Sequence, residues 1–451
     1  MKKKLFGTDG IRGEANVFPM LPEIALQVGR AIGYLFKNHN VHFSKVVIGK
    51  DTRLSGYIFE SSLVAGLCSM GVSTFLVGPL PTPAVAFLTK DMRADAGVMI
   101  SASHNPYYDN GIKIFDRNGY KLPDELEEKI ENLVFDKTFS TKRCFKDELG
   151  RAFRIKDAPG RYAVHLKSAV PSHINFEGIK VVIDCANGSA YQIGPQVLEE
   201  LGAEVISIAC SPNGININEN CGALYPERVR DLVVKTEAQI GIALDGDGDR
   251  IVVVDERGNL IDGDDILALF ALDFKNKGIL SNNTVVGTIM SNFGLEKFLK
   301  EHGISFIRTS VGDRYVLIKM KEVGSILGGE TSGHIIFLDK ATTGDGLLTG
   351  LRLISLMKEK EKPLSELLHL FEKFPQVIIN VKVKEKKPVK DIEGLEEKIK
   401  LAESKIGKNG RIVIRPSGTE PKYRIMVEGN KKEVIEEIAN ELADYIKQKL
   451  N

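Results

Sequence analysis

The sequence predicts an α/β protein: three similar α/β domains with mixed, mostly parallel sheets, then a smaller C-terminal α+β domain. Three observations carry this. Short apolar strands alternate with helical patterns, and that rhythm occurs three times in succession. After about Glu361 the texture changes to a half-exposed strand, a charged loop and amphipathic helices. A chain of 451 residues has room for about two to four domains.

In the first third, Val46–Gly49, Ser73–Val77 and Ala96–Ile100 read as buried strands, with helices over Ser55–Ser69 and Ala84–Lys90 between them. In the second, Lys180–Asp184, Glu204–Ile208 and Ile240–Leu244 are strands, with helices near Tyr191–Leu201 and Glu227–Lys235. In the third, Thr284–Thr288, Ser305–Arg308 and Ser325–Leu327 are strands, with helices near Asn292–Glu301 and Arg314–Glu322. Beyond Glu361, Val377, Ile379, Val381 and Val383 alternate as in a strand with one face exposed. A helix near Gly394–Glu403, strands Arg411–Ile414 and Tyr423–Val427, and a helix over Lys432–Leu450 follow. The expected domains are 1–155, 156–254, 255–365 and 366–451.

Composition narrows the function. Lysine and arginine number 61 against 60 acidic residues, so the basic excess of a nucleic-acid binder is missing. No apolar run approaches the ~18 residues a membrane span needs. The basic start Met1-Lys2-Lys3-Lys4 is broken by Gly7-Thr8-Asp9-Gly10, unlike a signal peptide. Five scattered cysteines form no C-x-x-C pair, which points to a reducing, cytoplasmic setting.

Ligands of open α/β sheets bind beyond the carboxyl ends of strands, and four loops there are unusual. The first is Ser101-Ala102-Ser103-His104-Asn105-Pro106, followed by Asn110-Gly111-Ile112-Lys113. A Ser-His nucleophile is a weak reading, because such partners converge in space rather than in sequence; a polar turn is the plain alternative. The second is Asp245-Gly246-Asp247-Gly248-Asp249-Arg250. Three alternating carboxylates repel one another unless a cation joins them, and hard oxygen ligands suit Mg²⁺. An EF-hand is disfavoured by Arg250, where glycine is required, and by the strand pattern of Ile251–Val254. An aspartyl-phosphate enzyme using Asp245, or a solvated acidic turn, stays open. The third loop is Gly328-Gly329-Glu330-Thr331-Ser332-Gly333-His334, whose Glu and Ser suit sugar hydroxyls. The fourth is Arg415-Pro416-Ser417-Gly418-Thr419-Glu420-Pro421 with Arg424, a composition suited to a phosphate dianion; a surface hairpin is the alternative.

Together with Phe6–Gly13 and Gly49-Lys50-Asp51-Thr52-Arg53, these loops resemble, in order and over nearly the whole chain, the α-D-phosphohexomutase superfamily. Within it, Met99–Phe115, Val311-Gly312-Asp313-Arg314-Tyr315-Val316 and Gly328–Gly346 resemble most the bacterial branch acting on glucosamine phosphates. Relatives acting on mannose and glucose phosphates, the alternative reading, usually carry a histidine-containing sequence at Gly312-Asp313-Arg314.

The resemblance implies four domains around a central cleft, each lending one loop. It implies a phosphoserine at Ser103 and one Mg²⁺ held by Asp245, Asp247, Asp249 and a phosphate oxygen on Ser103. Arg12 and Lys113 would line the reacting centre. Glu330 and Ser332 would hold sugar hydroxyls, and Arg415, Ser417, Gly418, Thr419 and Arg424 the distant phosphate. The implied reaction moves a phosphoryl group between the 6- and 1-positions of the sugar through a hexose 1,6-bisphosphate, which also serves as activator. The partners implied are small sugar phosphates, with a homodimer left open. The general base stays open among His104, His334 and Lys113, the last if neighbouring cations lower its pKa. A non-catalytic sugar-phosphate sensor would not need both Ser103 and the three aspartates.

Overall fold

The structure is a computed structural model that describes residues 5–7, 9–37, 43–385, 387–407, 410–416 and 422–450. Its strands form sheets of seven, five, four and three strands.

The first three sheets share one plan. In the first, Asp109–Asp116, Ala96–Ile100, Lys45–Lys50 and Ser73–Pro79 lie side by side in that order. In the second the order is Ile251–Asp255, Ile240–Leu244, Lys180–Asp184, Glu204–Ile208. In the third it is Ile335–Phe337, Leu327–Gly329, Thr284–Thr288, Ser305–Thr309. Each time the last three strands named are mutually parallel and the first returns antiparallel. The repeated rhythm of the sequence is therefore a repeated topology. In each sheet the loop carrying chemistry is the short turn into the antiparallel return strand.

These strands are apolar on both faces because both faces are covered. Val46, Val47 and Ile48 are fully buried, as are Val181, Val182 and Ile183. That pattern belongs to sheets flanked by helices. One continuous apolar core joins the three units, running from Val47 and Leu88 through Leu166 and Ile183 to Leu327 and Leu351. The fourth sheet is antiparallel, with Lys422–Glu428 between Gln376–Lys382 and Arg411–Pro416. Ile435, Ile438, Leu442 and Ile446 form one apolar stripe along helix Lys432–Leu450. They close a separate core with Val381, Tyr423 and Ile425.

The join between third and fourth units is polar. Glu428, fully buried, accepts from the Phe293 amide at 2.8 Å and from Arg411 Nε at 2.6 Å. Segment Asn110–Lys113, expected to be part of the serine loop, is instead inside strand Asp109–Asp116. Asn110 and Lys113 are buried polar residues, and they hide the apolar alternation by which a strand is read.

Candidate active site

Ser103 sits in the turn between Ala96–Ile100 and Asp109–Asp116, buried and in the left-handed region at φ +54. That conformation costs a non-glycine residue about 1–3 kcal/mol and persists only where neighbours impose it. Here they do. The Ser103 amide donates to Ser101 Oγ at 2.9 Å, and Ser101 Oγ donates to Asp51 at 2.6 Å. The Ser103 carbonyl accepts from Arg53 Nη2 and from Asn218 Nδ2, both at 2.9 Å. Arg53 is fully buried, paired through Nε with Asp51 at 2.8 Å, and also holds the carbonyls of Asn105 and Asp109. The segment Gly49–Arg53 is thus the scaffold of the serine loop.

The turn after Ile240–Leu244 brings Asp245, Asp247 and Asp249 together, all buried, each with a carboxylate oxygen within 4.8 Å of the others. Gly246 is required by space: a Cβ there would lie 2.7 Å from the Ser103 carbonyl oxygen. Asp247 accepts from Lys113 Nζ at 2.8 Å and Thr82 Oγ1 at 2.5 Å, and Asp249 accepts from Lys113 at 3.2 Å. The other oxygens of Asp247 and Asp249 are buried without a hydrogen-bond partner among the described residues. Burial, then Asp249 and Asp247, push the Asp245 carboxyl well up. A cage of buried carboxylates with unpartnered oxygens fits a hard divalent cation such as Mg²⁺.

Cations surround this cage. Arg12, in the strand Gly10–Glu14, hydrogen-bonds Asp9. Lys113 also faces Asp9 at 3.4 Å. Its neighbours are mainly carboxylates. Burial opposes its charge, but Asp247, Asp249 and Asp9 hold its pKa well above the ordinary value. The lowered pKa expected of a neutral proton carrier is not found there. His104 Nδ1 lies 3.3 Å from both Ser103 Oγ and Arg250 Nη1. Burial, then Arg250 and Arg12, pull the His104 pKa down to about 4, leaving a neutral imidazole beside the serine. His334 is buried and faces Asp313 at 3.3 Å. Burial opposes its charge, yet Asp313 raises its pKa.

In the third loop Glu330 is pinned by the Gly312 amide at 2.9 Å, with Ser332 Oγ 3.5 Å away. This places Glu330 beside the Val311–Val316 signature. In the fourth unit Arg415 and Arg424 are directly opposite across their antiparallel strands. Arg415 Nε is buried and unpartnered among the described residues. Burial, then Arg424, lower the Arg415 pKa, while Glu330 of the third loop opposes them. Ser417, Gly418 and Thr419 lie outside the described residues.

Sequence reasoning did not single out Asp9, Thr82, Asn218 and Arg250 as site residues. The acidic-loop position of Arg250 and the place of Asp9 within Phe6–Gly13 offered a signal. Asn218 reaches Ser103 across 115 residues of sequence, and no local pattern marks it.

The chain matches the four domains of phosphoglucomutase/phosphomannomutase in order: alpha/beta/alpha domain I over 3–141, domain II over 160–258, domain III over 262–374 and the C-terminal domain over 378–445. It is 52% identical over 450 residues to a phosphoglucosamine mutase of Nitratidesulfovibrio vulgaris, covering 100% of both chains. It is 52% identical to that of Syntrophotalea carbinolica, covering 100% of this chain and 98% of the other. A phosphoglucomutase/phosphomannomutase family protein from Burkholderia thailandensis shares the fold, with a TM-score of 0.81 at 24% identity, over 99% of this chain and 98% of that one. A putative phosphomannomutase from Thermus thermophilus shares it at 0.78 and 22%, over 98% and 100%. With four domains matched in order and half of its residues shared end to end, the chain belongs to the phosphoglucomutase/phosphomannomutase family, on the branch of the bacterial phosphoglucosamine mutases.

Proposed function

We propose that this isomerase interconverts glucosamine 6-phosphate and glucosamine 1-phosphate through a phosphoserine at Ser103. The observation that carries the reading is the contact of Ser103 Oγ with Asp245 at 2.6 Å, inside the carboxylate cage. The phosphoserine gives its phosphoryl group to the free hydroxyl of the bound sugar phosphate, making a 1,6-bisphosphate. That intermediate turns end for end, and its other phosphoryl group returns to Ser103. A hexose 1,6-bisphosphate would also prime the unphosphorylated serine.

Asp245, Asp247 and Asp249, with a phosphate oxygen on Ser103, would hold Mg²⁺, which when bound neutralises charge on the phosphoryl group. Arg12 and Lys113 add positive charge at the same centre. Glu330 and Ser332 hold sugar hydroxyls. Arg415 and Arg424, with Ser417, Gly418 and Thr419, grip the phosphate that is not reacting. A phosphate presents equivalent oxygens whichever end of the sugar it belongs to, so one grip serves both orientations. His104, neutral and beside Ser103, accepts from Arg250 Nη1 and orders the loop.

Glucosamine, glucose and mannose 6-phosphates assayed side by side, with catalytic bisphosphate present, test the assignment. A clear preference in kcat/KM for the aminosugar is the expected result. A preference for mannose or glucose phosphate would assign the chain to the phosphomannomutase/phosphoglucomutase activity instead.

A further inference from the structure

Two thiols stand at neighbouring strand ends of the second sheet, apart from the reacting centre. Strands Lys180–Asp184 and Glu204–Ile208 run parallel with Asp184 opposite Ile208. Cys185 directly follows the first strand, and Cys210 lies just past the second. The Cys185 amide donates to the Ile208 carbonyl at 3.2 Å, and Cys210 Sγ donates to the same carbonyl at 3.3 Å. Both side chains pack on the same apolar core. Both are free; Cys185 is buried and Cys210 half-buried. They are not a metal site: among the described residues only the three aspartates gather as a metal-holding group.

The surroundings of this pair lead to Ser103. Ala186, Asn187 and Ala209, which adjoin the two cysteines, have φ of +55, +47 and +49. Such conformations are strained for residues other than glycine and are held only by their contacts. The Asn187 amide donates to the Ala209 carbonyl at 2.7 Å, and Thr52 Oγ1 donates to the Asn187 carbonyl at 2.5 Å. The Ala186 carbonyl accepts from the Asn218 amide at 2.9 Å. Asn218 Nδ2 in turn holds the carbonyls of Ser103 and Asn105. The turn beside Cys185 fixes Asn218, and Asn218 fixes the serine loop.

We infer that Cys185 and Cys210 are a reversible disulfide site for hydroperoxides, whose closure loosens the hold of Asn218 on Ser103 and slows phosphoryl transfer. The Cys210 thiolate, the more accessible sulfur, attacks the peroxide O–O bond; the alcohol leaves and a sulfenic acid forms. Cys185 gives up its proton and attacks that sulfur, and water leaves. Two thiols and one hydroperoxide thus become one disulfide, one alcohol and one water. A disulfide draws its sulfurs to about 2.05 Å, well inside the contact distance of two free thiols. The two strand ends must close up, and the strained turn at Ala186–Asn187 is where the chain gives.

This inference rests on the mutase reading, so the reduced enzyme is first shown to turn over glucosamine 6-phosphate; failure there would count against that reading and not this one. The enzyme is then treated with tert-butyl hydroperoxide, digested without reductant and mapped by mass spectrometry. Expected are a Cys185–Cys210 cross-link, a fall in kcat of about fivefold, as for one lost positioning hydrogen bond, and recovery with dithiothreitol. Cys210→Ser should keep its kcat under the same treatment. No cross-link between these two, a link to Cys221 instead, or a cross-linked enzyme with unchanged kcat would each overturn the inference.

Discussion

Ser103 and Asp245 stand on turns of different sheets, yet the serine hydroxyl donates to the aspartate at 2.6 Å. The serine loop and the carboxylate cage are therefore one unit across a domain boundary. Thr82 and Lys113 tie the same two domains through Asp247.

Removing charge from the cage should cost metal and turnover together. Asp247→Asn takes away a buried carboxylate that otherwise faces Lys113 and Thr82. Loss of even outer partners of a metal typically costs about 10–100-fold in affinity or activity, so at least that is expected here. Calorimetric Mg²⁺ titration alongside kcat measures both. Chelated, metal-free enzyme with normal turnover would remove the cage from the mechanism.

Asn218 positions the serine loop through its backbone carbonyls. Asn218→Ala removes its bonds to the Ser103 and Asn105 carbonyls. Each neutral bond contributes about 1 kcal/mol, so loss of both should lower kcat by roughly thirtyfold while KM stays near its original value. A rise in KM alone would indicate a general structural role.

Arg415 should separate grip from chemistry. A charge-assisted hydrogen bond contributes about 1.5–3 kcal/mol, roughly ten- to a hundred-fold in affinity. Arg415→Ala should weaken substrate binding by that order and release more bisphosphate, because the intermediate escapes before turning. The phosphoserine should still form. Calorimetry and mass spectrometry of released bisphosphate follow the two effects; neither appearing would make this loop only a surface hairpin.

Asp264 should make stability depend on pH. It is fully buried at the start of helix Gly263–Asn276, where it accepts from the Asn292 amide at 2.7 Å and from Thr331 Oγ1 at 3.1 Å. Burial, then Asp262, push its pKa up to about 7 from the ordinary 3.8. The unfolded chain thus ionises it more readily than the fold does. Stability is untouched below pH 3.8 and is lost as pH rises from there to 7, by an amount on the order of 4 kcal/mol. Asp264→Asn should therefore raise Tm relative to wild type at pH 8 and confer little advantage at pH 4. An equal effect at both pH values would contradict this.

The strands at the heart of each sheet were legible because burial on both faces leaves apolar runs such as Val181–Ile183, bounded by polar turns. Of the antiparallel return strands, Ile251–Asp255 was legible and the other two were harder to see. Asp109–Asp116 carries Asn110 and Lys113 inward, and Ile335–Phe337 is too short to show a period. The acidic loop was legible because carboxylates at alternate positions ask for a cation. What holds Ser103 in its left-handed turn was not, because Arg53 and Asn218 approach from 50 residues before it and 115 after. Nor could spacing show that Lys113 faces carboxylates, since two segments distant from it in sequence bring them to it.

The most direct test is to incubate the enzyme with glucose 1,6-bisphosphate and map the phosphate by peptide mass spectrometry. The account predicts one phosphate on Ser103, stable to mild base, absent together with all mutase activity in Ser103→Ala. A base-labile phosphate on Asp245, or full activity without a phosphate on Ser103, would contradict it.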